Sequence, residues 1–273
     1  MCALLRRMGL ARLLRLGLTM GIPPLWYELT LLHFRGAFQS RFMWVPVVSL
    51  PAVLAGGVAS GLKKDEPRSR DTLRPFAWLM TIIGTFGTLF HLRGIARQMG
   101  GFYNWKYNAV TGPPFPAPIQ VALFGLLGAV ASRRVSHNPL KKKSDEHSLI
   151  RPARWINALS YTLIGIEASY YHWTGSFFNR LMYIPVLLSP AMAFVQFAAL
   201  WRSRLARRLE LPLSIISTIV GLVGFSFHIR NLFSRPGRLT WQNLFYGPPL
   251  MAPLQLSAQG LLGTFLALFS DKP

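Results

Sequence analysis

The chain has 273 residues, of which 51% are hydrophobic and only 14% are charged. Soluble domains usually carry about 25% charged residues, and disorder requires low hydrophobicity, so the composition argues against both classes. The lone Cys2 excludes a disulfide framework. The net charge of +21 would suit nucleic-acid binding, but the basic residues lie between apolar runs as long as a bilayer is thick. We therefore expect an all-α integral membrane protein that lies in the lipid bilayer and binds no nucleic acid.

The apolar runs predict about eight transmembrane helices. A helix needs about 20 residues to cross the hydrocarbon core. The first and fourth runs are therefore short, and seven spans or a re-entrant fourth segment would also fit. Prolines stand where these two runs begin, and proline suits the first turn of a helix. The approximate ranges of the eight runs are 22–38, 43–61, 76–97, 117–132, 156–176, 181–201, 212–232 and 249–270.

Basic residues are distributed unevenly among the connections. Of the 30 Lys and Arg residues, 21 lie in the N-terminal segment, in the second, fourth and sixth connections, and at the C-terminal end. The positive-inside rule makes this side cytoplasmic and places both termini there, as in a protein of the bacterial inner membrane. Anionic lipid headgroups are the expected partner of this side. Residues 1–21 are interpreted as a basic cytoplasmic or interfacial lead-in.

An internal repeat divides the chain into two copies of a four-helix unit. The matching ranges are 28–51 and 167–190 at an offset of 139, 84–93 and 221–230 at 137, and 108–128 and 243–263 at 135. An even number of spans in each copy gives both copies the same orientation, so we expect a pseudo-twofold axis along the membrane normal. The predicted units are 22–132 and 154–273, joined by a charged cytoplasmic linker over 133–153.

Two glutamates and four histidines lie inside the predicted spans, and all six are repeat mates. Such residues are costly in a membrane and are functional candidates by default. Imidazole is a common ligand of metal ions and of haem iron, and the four histidines are expected at one depth near the outer face. The alternative is that each histidine only bonds to a neighbouring helix. The mates are Glu28 with Glu167, His33 with His172, and His91 with His228.

The neighbours of two histidines favour a flat ligand. Two glycines precede each of these histidines on the same helix face, at i−7 and i−4, and leave a recess that would suit a porphyrin. An arginine two residues after each histidine would pair with haem propionates. Close helix packing through small residues is the other reading of the glycines. The residues are Gly84, Gly87, His91 and Arg93 in the first copy, and Gly221, Gly224, His228 and Arg230 in the second.

Haem b is therefore the predicted cofactor, with another tetrapyrrole or a non-haem metal ion as alternatives. The haem hypothesis pairs the histidines within each copy, His33 with His91 and His172 with His228, although pairing across the copies also fits. A non-haem centre would gather the four histidines and both glutamates. Its difficulty is that residues five apart, such as Glu28 and His33, point about 140° apart on a helix.

The glutamate pair and two asparagines have further possible roles. Glu28 and Glu167 are expected to be protonated, to relay protons or to pair with a base. Asn108 and Asn243 each lie four residues before a Gly-Pro-Pro turn and are candidates for the same relay or for supporting the site.

The expected function is an electron-transfer subunit or cofactor scaffold that works with other redox or membrane-complex subunits. The chain has no cysteine cluster, nucleotide-binding loop or hydrolase motif that would indicate another chemistry. A secondary transporter or channel with paired membrane carboxylates is the alternative, since parallel repeats with abundant Gly and Pro fit that class. A purely structural subunit of a larger membrane complex is the third possibility.

Overall fold

The computed structural model describes residue 5 and residues 8–62, 67–136, 138–201 and 203–270; at 61–62, 67–70, 109–110 and 139–140 it describes only the backbone. All secondary structure within these ranges is helical. The helices of the first half are α1 (Leu10–Arg35), α2 (Trp44–Leu62), α3 (Pro67–Ala96), α4 (Trp105–Thr111) and α5 (Pro116–Ala131). Those of the second half are α6 (Pro139–Thr174), α7 (Tyr183–Leu200), α8 (Arg204–Ser234), α9 (Trp241–Tyr246) and α10 (Ala252–Phe269).

The order of long and short elements is the same in the two halves. A 3₁₀ turn precedes α2 at Arg41–Met43, and another precedes α7 at Arg180–Met182. The side chains of Ser40 and Asn179 accept a backbone hydrogen bond at the start of these turns. Within the halves, α3 packs along α5, and α8 packs along α10. The helices α1, α5, α6 and α10 meet in the middle of the molecule.

Five helical segments are long and apolar enough to cross a membrane by length and composition. Within the described ranges these are Arg41–Ser60, Asp71–Ala96, Arg180–Leu200, Arg204–Ser234 and Ala252–Phe269, which match five of the eight predicted spans. The fourth predicted span corresponds to α5, which is apolar but has 16 residues. The remaining two predicted spans lie within α1 and α6, which carry the buried or partly buried charged residues of the site.

Two helices begin earlier than the apolar runs predict. α1 begins at Leu10, so half of the predicted lead-in is helical, and Leu10, Leu14 and Leu18 are buried. α6 begins at Pro139, so most of the predicted linker is also helical. The physical reason is packing: leucines at every fourth position form an apolar stripe on α1. Leu10 and Leu14 of this stripe pack with Leu149 and neighbouring residues of α6 in one hydrophobic core.

Candidate functional site

The four histidines lie in two pairs, one in each half. The His33 and His91 rings are 6.4 Å apart between centroids and meet edge to face. His172 and His228 are close enough for a charge on one to affect the other, and both line the same cavity. α1 and α3 supply the first pair, and α6 and α8 supply the second. The structure thus brings together the histidines that were expected to pair within a half.

Backbone carbonyls orient three of the four imidazole rings. The Nδ1 atom of His91 lies 2.9 Å from the Pro114 carbonyl oxygen, and that of His228 lies 2.7 Å from the Pro249 carbonyl oxygen. His172 Nδ1 contacts the carbonyl oxygen of Met182 at 2.8 Å. Because a carbonyl only accepts, Nδ1 carries the proton in each neutral ring, and Nε2 keeps its lone pair for a ligand.

His33 departs from this arrangement. Its Nδ1 atom is buried and has no hydrogen-bond partner among the described residues. Its ring instead packs against Phe38, which stacks on Trp44 with centroids 4.0 Å apart. The second half repeats this stack with Phe177 and Tyr183.

The glycine faces below His91 and His228 are filled by a neighbouring helix. A Cβ atom on Gly84 would lie 2.6 Å from the carbonyl oxygen of Pro118, and one on Gly221 would lie 2.6 Å from that of Pro253. The second glycine of each pair lies against the side chain of the same proline. These glycines therefore allow α3 to approach α5, and α8 to approach α10, which is the small-residue packing common in membrane proteins. Gly221 and Gly224 also line a cleft beside His228, whereas Gly84 and Gly87 do not line it.

The described residues contain no group of three or more His, Cys, Asp and Glu side chains that could hold a metal ion. The non-haem centre of four histidines and two glutamates is therefore not assembled. Each half therefore offers two imidazoles to a ligand that binds beside its histidines.

The two glutamates are near each other but differ in their contacts. Glu28 and Glu167 are close enough for a charge on one carboxyl group to affect the other. Glu28 is 5% exposed and accepts a hydrogen bond of 2.5 Å from the backbone N–H of Met251. At the offset of 135, the mate of Met251 is Pro116, which has no N–H to donate. Glu167 therefore lacks the equivalent bond, and it lines a cleft instead.

This cleft has a volume of about 880 Å³ and lies in the second half, between α6, α7, α8 and the segment that leads from α9 into α10. Its walls are mostly apolar. Its polar lining includes Glu167, His172 and His228 together with Arg35, Arg230 and Arg235. The cleft therefore combines one carboxyl group with three guanidinium groups.

Arg35 extends from the end of α1 to the second half. Its guanidinium donates to the carbonyl oxygens of Leu244, at 3.1 Å, and Gly247, at 3.3 Å, and lies 5.7 Å from the centre of the Phe245 ring. The mate of Arg35 at the offset of 139 is Thr174, which has no charge. Arg35 therefore contributes a guanidinium group to the lining of the cleft in the second half. The first half receives no equivalent arginine from the second.

The remaining predicted site residues have separate positions. The side-chain amide of Asn108 donates to the carbonyl oxygens of Met99 and Gly101, at 3.1 and 2.8 Å. Asn243 makes the same kind of contacts within its own loop. Both asparagines thus fix loops and have no bond to a glutamate. Arg93 and Arg230 are both exposed, and of the two Arg230 lines the cleft.

A buried ion pair was not predicted. Arg154 donates to both carboxylate oxygens of Glu210, at 2.9 and 2.5 Å, and to the hydroxyl of Ser270 at 2.6 Å. The sequence pattern placed Arg154 and Glu210 in cytoplasmic connections because they flank the apolar runs. One signal was available: Arg154 matches Arg15 at the offset of 139, and both arginines are buried.

Comparison with known proteins gives no match to a family model, to a characterised protein or to a solved structure.

Proposed function

We propose that the chain is an integral membrane protein of eight helices, built as a tandem duplication with its pseudo-twofold axis along the membrane normal and with both termini in the cytoplasm. Five apolar helices, the matching order of elements and the glycine contacts at mated positions support this architecture. Arg15 and Glu28 of α1 and Arg154 of α6 are buried inside the protein, which lowers their cost in a membrane. The uneven distribution of basic residues supports the orientation.

The function that the site supports best is that of a secondary transporter for an amphiphilic anion. The observation that carries this proposal is the cleft, because its walls are apolar while three arginines line it. An acidic head would pair with Arg230 and Arg235, and its apolar body would lie against residues such as Ile219 and Val223. Glu167 would take up or release a proton as the anion enters or leaves.

Binding of a nitroxide-labelled long-chain fatty acid to the purified protein in detergent tests this proposal. Arg230→Gln removes one guanidinium from the cleft, and a hydrogen bond to a charged group contributes about 1.5–3 kcal/mol, so affinity should fall about 10- to 100-fold. Arg93→Gln is the matched control, because Arg93 is the repeat mate of Arg230, is likewise exposed and does not line the cleft. Equal affinity in both variants, or absence of binding by the unmodified protein, would contradict the proposal and favour a structural role.

A second candidate function is electron transfer through a bound haem b or other metal centre, with other redox subunits. The observation that favours it is the orientation of His172 and His228, whose Nε2 atoms remain available next to the cleft. Gly221 and Gly224 line the same cleft, so in the second half the cleft is the place where these residues would fit a haem. A bound haem would supply one-electron transfer, and His172 and His228 would hold its iron.

The absorption spectrum of the purified protein, before and after reduction with dithionite, separates the two candidates. Sharp reduced-state bands that disappear in His228→Ala and persist in His91→Ala would support a haem in the cleft. A colourless, metal-free preparation that binds the labelled fatty acid would leave transport as the function.

A further inference from the structure

Four uncharged polar side chains are buried together in the core of the second half. Asn157, Gln196 and Ser214 are 0% exposed, and Gln259 is 4% exposed. Both polar atoms of Asn157 and of Gln196, the hydroxyl of Ser214 and the Oε1 atom of Gln259 have no hydrogen-bond partner among the described residues. We call these four residues the core polar cluster.

Contacts with glycines and with one tyrosine bring the cluster together. A Cβ atom on Gly263 of α10 would meet both Gln196 Nε2, at 3.1 Å, and Ser214 Oγ, so α7 and α8 converge there. The hydroxyl of Tyr161 donates to Ser217 Oγ at 2.8 Å, which sets α6 and α8 at one level. Asn157 and Ser214 each lie one turn before these two residues.

Gln259 belongs to the same level of the core. It precedes Gly260, where a Cβ atom would lie 2.7 Å from the carbonyl oxygen of Ser214. All four helices of the second half that belong to the main bundle therefore contribute one member of the cluster.

The repeat mates of the cluster form an ordinary apolar core. At the offsets of the repeat the mates are Leu18, Gly57, Ala77 and Phe124. Leu18 and Phe124 belong to one hydrophobic cluster of the first half. Leu18 and Ala77 approach the Cβ position of Gly128, the mate of Gly263, at 3.0 and 2.9 Å. The same backbone positions therefore pack without polar groups in one half and carry several of them in the other.

We propose that the core polar cluster binds water and forms a hydrated site in the second half. Buried amides and hydroxyls are normally paired, and ordered water is the usual partner when protein groups are not. The cluster offers two NH₂ donors, three amide oxygens and one hydroxyl without a formal charge. Water matches this mixture because it both donates and accepts, whereas a cation would contact only the oxygens.

The hydrated site lies between two ionisable groups of the same half. Along α6, Arg154 lies one turn before Asn157, and Glu167 follows Tyr161 by six residues, about 9 Å along the helix. Arg154 holds Glu210 at one side of the site, and Glu167 lines the cleft at the other. The hydrated site does not depend on which ligand the cleft binds.

Radiolytic hydroxyl-radical labelling with mass spectrometry tests the proposal, because radicals generated from bound water modify buried side chains beside it. Met192 lies one turn before Gln196 and is 0% exposed. Met80 is the control, since it is also 0% exposed but packs in the apolar cluster with Leu18 and Phe124. Met192 should be oxidised severalfold faster than Met80, and equal rates would overturn the proposal.

A quadruple variant that carries the first-half residues, N157L, Q196G, S214A and Q259F, gives the second comparison. These side chains pack together in the first half, so the variant is designed to fill the core without polar groups. Its Met192 rate should fall to that of Met80, while a severalfold excess retained in the folded variant would overturn the proposal. If the variant does not fold, the ratio of Met192 to Met80 in the unmodified protein decides alone. Fatty-acid binding in the cleft is a separate readout, and its absence would leave this result unaffected.

Discussion

At the scale of single residues, the Arg154–Glu210 pair shows how the chain accommodates charge in its interior. Arg154 is 5% exposed and Glu210 is 1% exposed, and the arginine also reaches Ser270. Removing one member of a buried pair leaves an uncompensated charge, which is more damaging than removing both members. The mate of Glu210 in the first half is Leu73, which is fully buried.

We therefore expect Glu210→Leu to lower the free energy of unfolding by about 3–5 kcal/mol, because the charge of Arg154 remains buried without a partner. The double variant Arg154→Met with Glu210→Leu should recover most of this loss. Thermal and denaturant unfolding in detergent measures both changes. A double variant that is less stable than Glu210→Leu would contradict this expectation, because it would show that the unpaired Arg154 stabilises the fold through other contacts such as that to Ser270.

Replacement of Glu28 and replacement of its repeat mate Glu167 are predicted to lower the stability by different amounts. Glu28→Leu should lower the free energy of unfolding by about 1–3 kcal/mol, because the partly buried N–H of Met251 loses its acceptor. Glu167→Leu should lower it less, since Glu167 is partly exposed and lines the cleft. The melting temperatures of the two variants make the comparison. A larger loss in Glu167→Leu would contradict the different roles assigned to the two carboxyl groups.

At the scale of elements, the closest contact in each half is a crossing of two helices at glycines. Gly125 faces the backbone of α3 and Gly260 faces that of α8, as Gly84 and Gly221 face α5 and α10. Both helices of each pair therefore lack side chains where they touch. This contact also holds the Pro114 and Pro249 carbonyls near His91 and His228.

Gly84→Ala and Gly221→Ala should each lower the free energy of unfolding by about 1–3 kcal/mol, because the added methyl group would overlap backbone atoms and force the helices apart. Gly17→Ala is the control: the nearest atom to its Cβ would be Phe265 Cε2 at 3.8 Å, an ordinary contact. Alanine also favours the helix over glycine. Denaturant unfolding of the three variants measures the difference, and a neutral Gly84→Ala would contradict this assignment.

Much of the element pattern could be predicted from the sequence, because long apolar runs and repeated residues mark helices. The glutamate and histidine mates were identified in the same way. The beginning of α1 could not be, since Arg12 and Arg15 interrupt the apolar stretch and only packing against α6 buries Leu10 and Leu14. The glycines were assigned to a ligand recess because spacing alone does not show which helix will occupy a face. The core polar cluster was missed because its members lie on four helices with no common spacing.

At the scale of the whole molecule, two similar halves carry different interiors. The first half packs Leu18 and Phe124 where the second carries Asn157 and Gln259. The loop of the second half binds Glu28, whereas Pro116 leaves Glu167 without the same bond. Both halves thus share their helix crossings, while the cleft and the polar core lie in the second half and Arg35 reaches the cleft from the first. We infer that the first half is a structural support and that the second half binds the ligand in its cleft.

The parallel duplication that we propose requires both halves to have the same orientation in the membrane. Single cysteines at Tyr103, Leu239 and Ser144 in a Cys2→Ala background test it, because the first two positions are exposed at the histidine ends of the two halves and the third is exposed in the linker region. In intact cells a membrane-impermeant thiol reagent should label Tyr103→Cys and Leu239→Cys from outside. Ser144→Cys should be labelled only after the membrane is opened. Labelling of Tyr103→Cys and Leu239→Cys from opposite sides would contradict the parallel duplication.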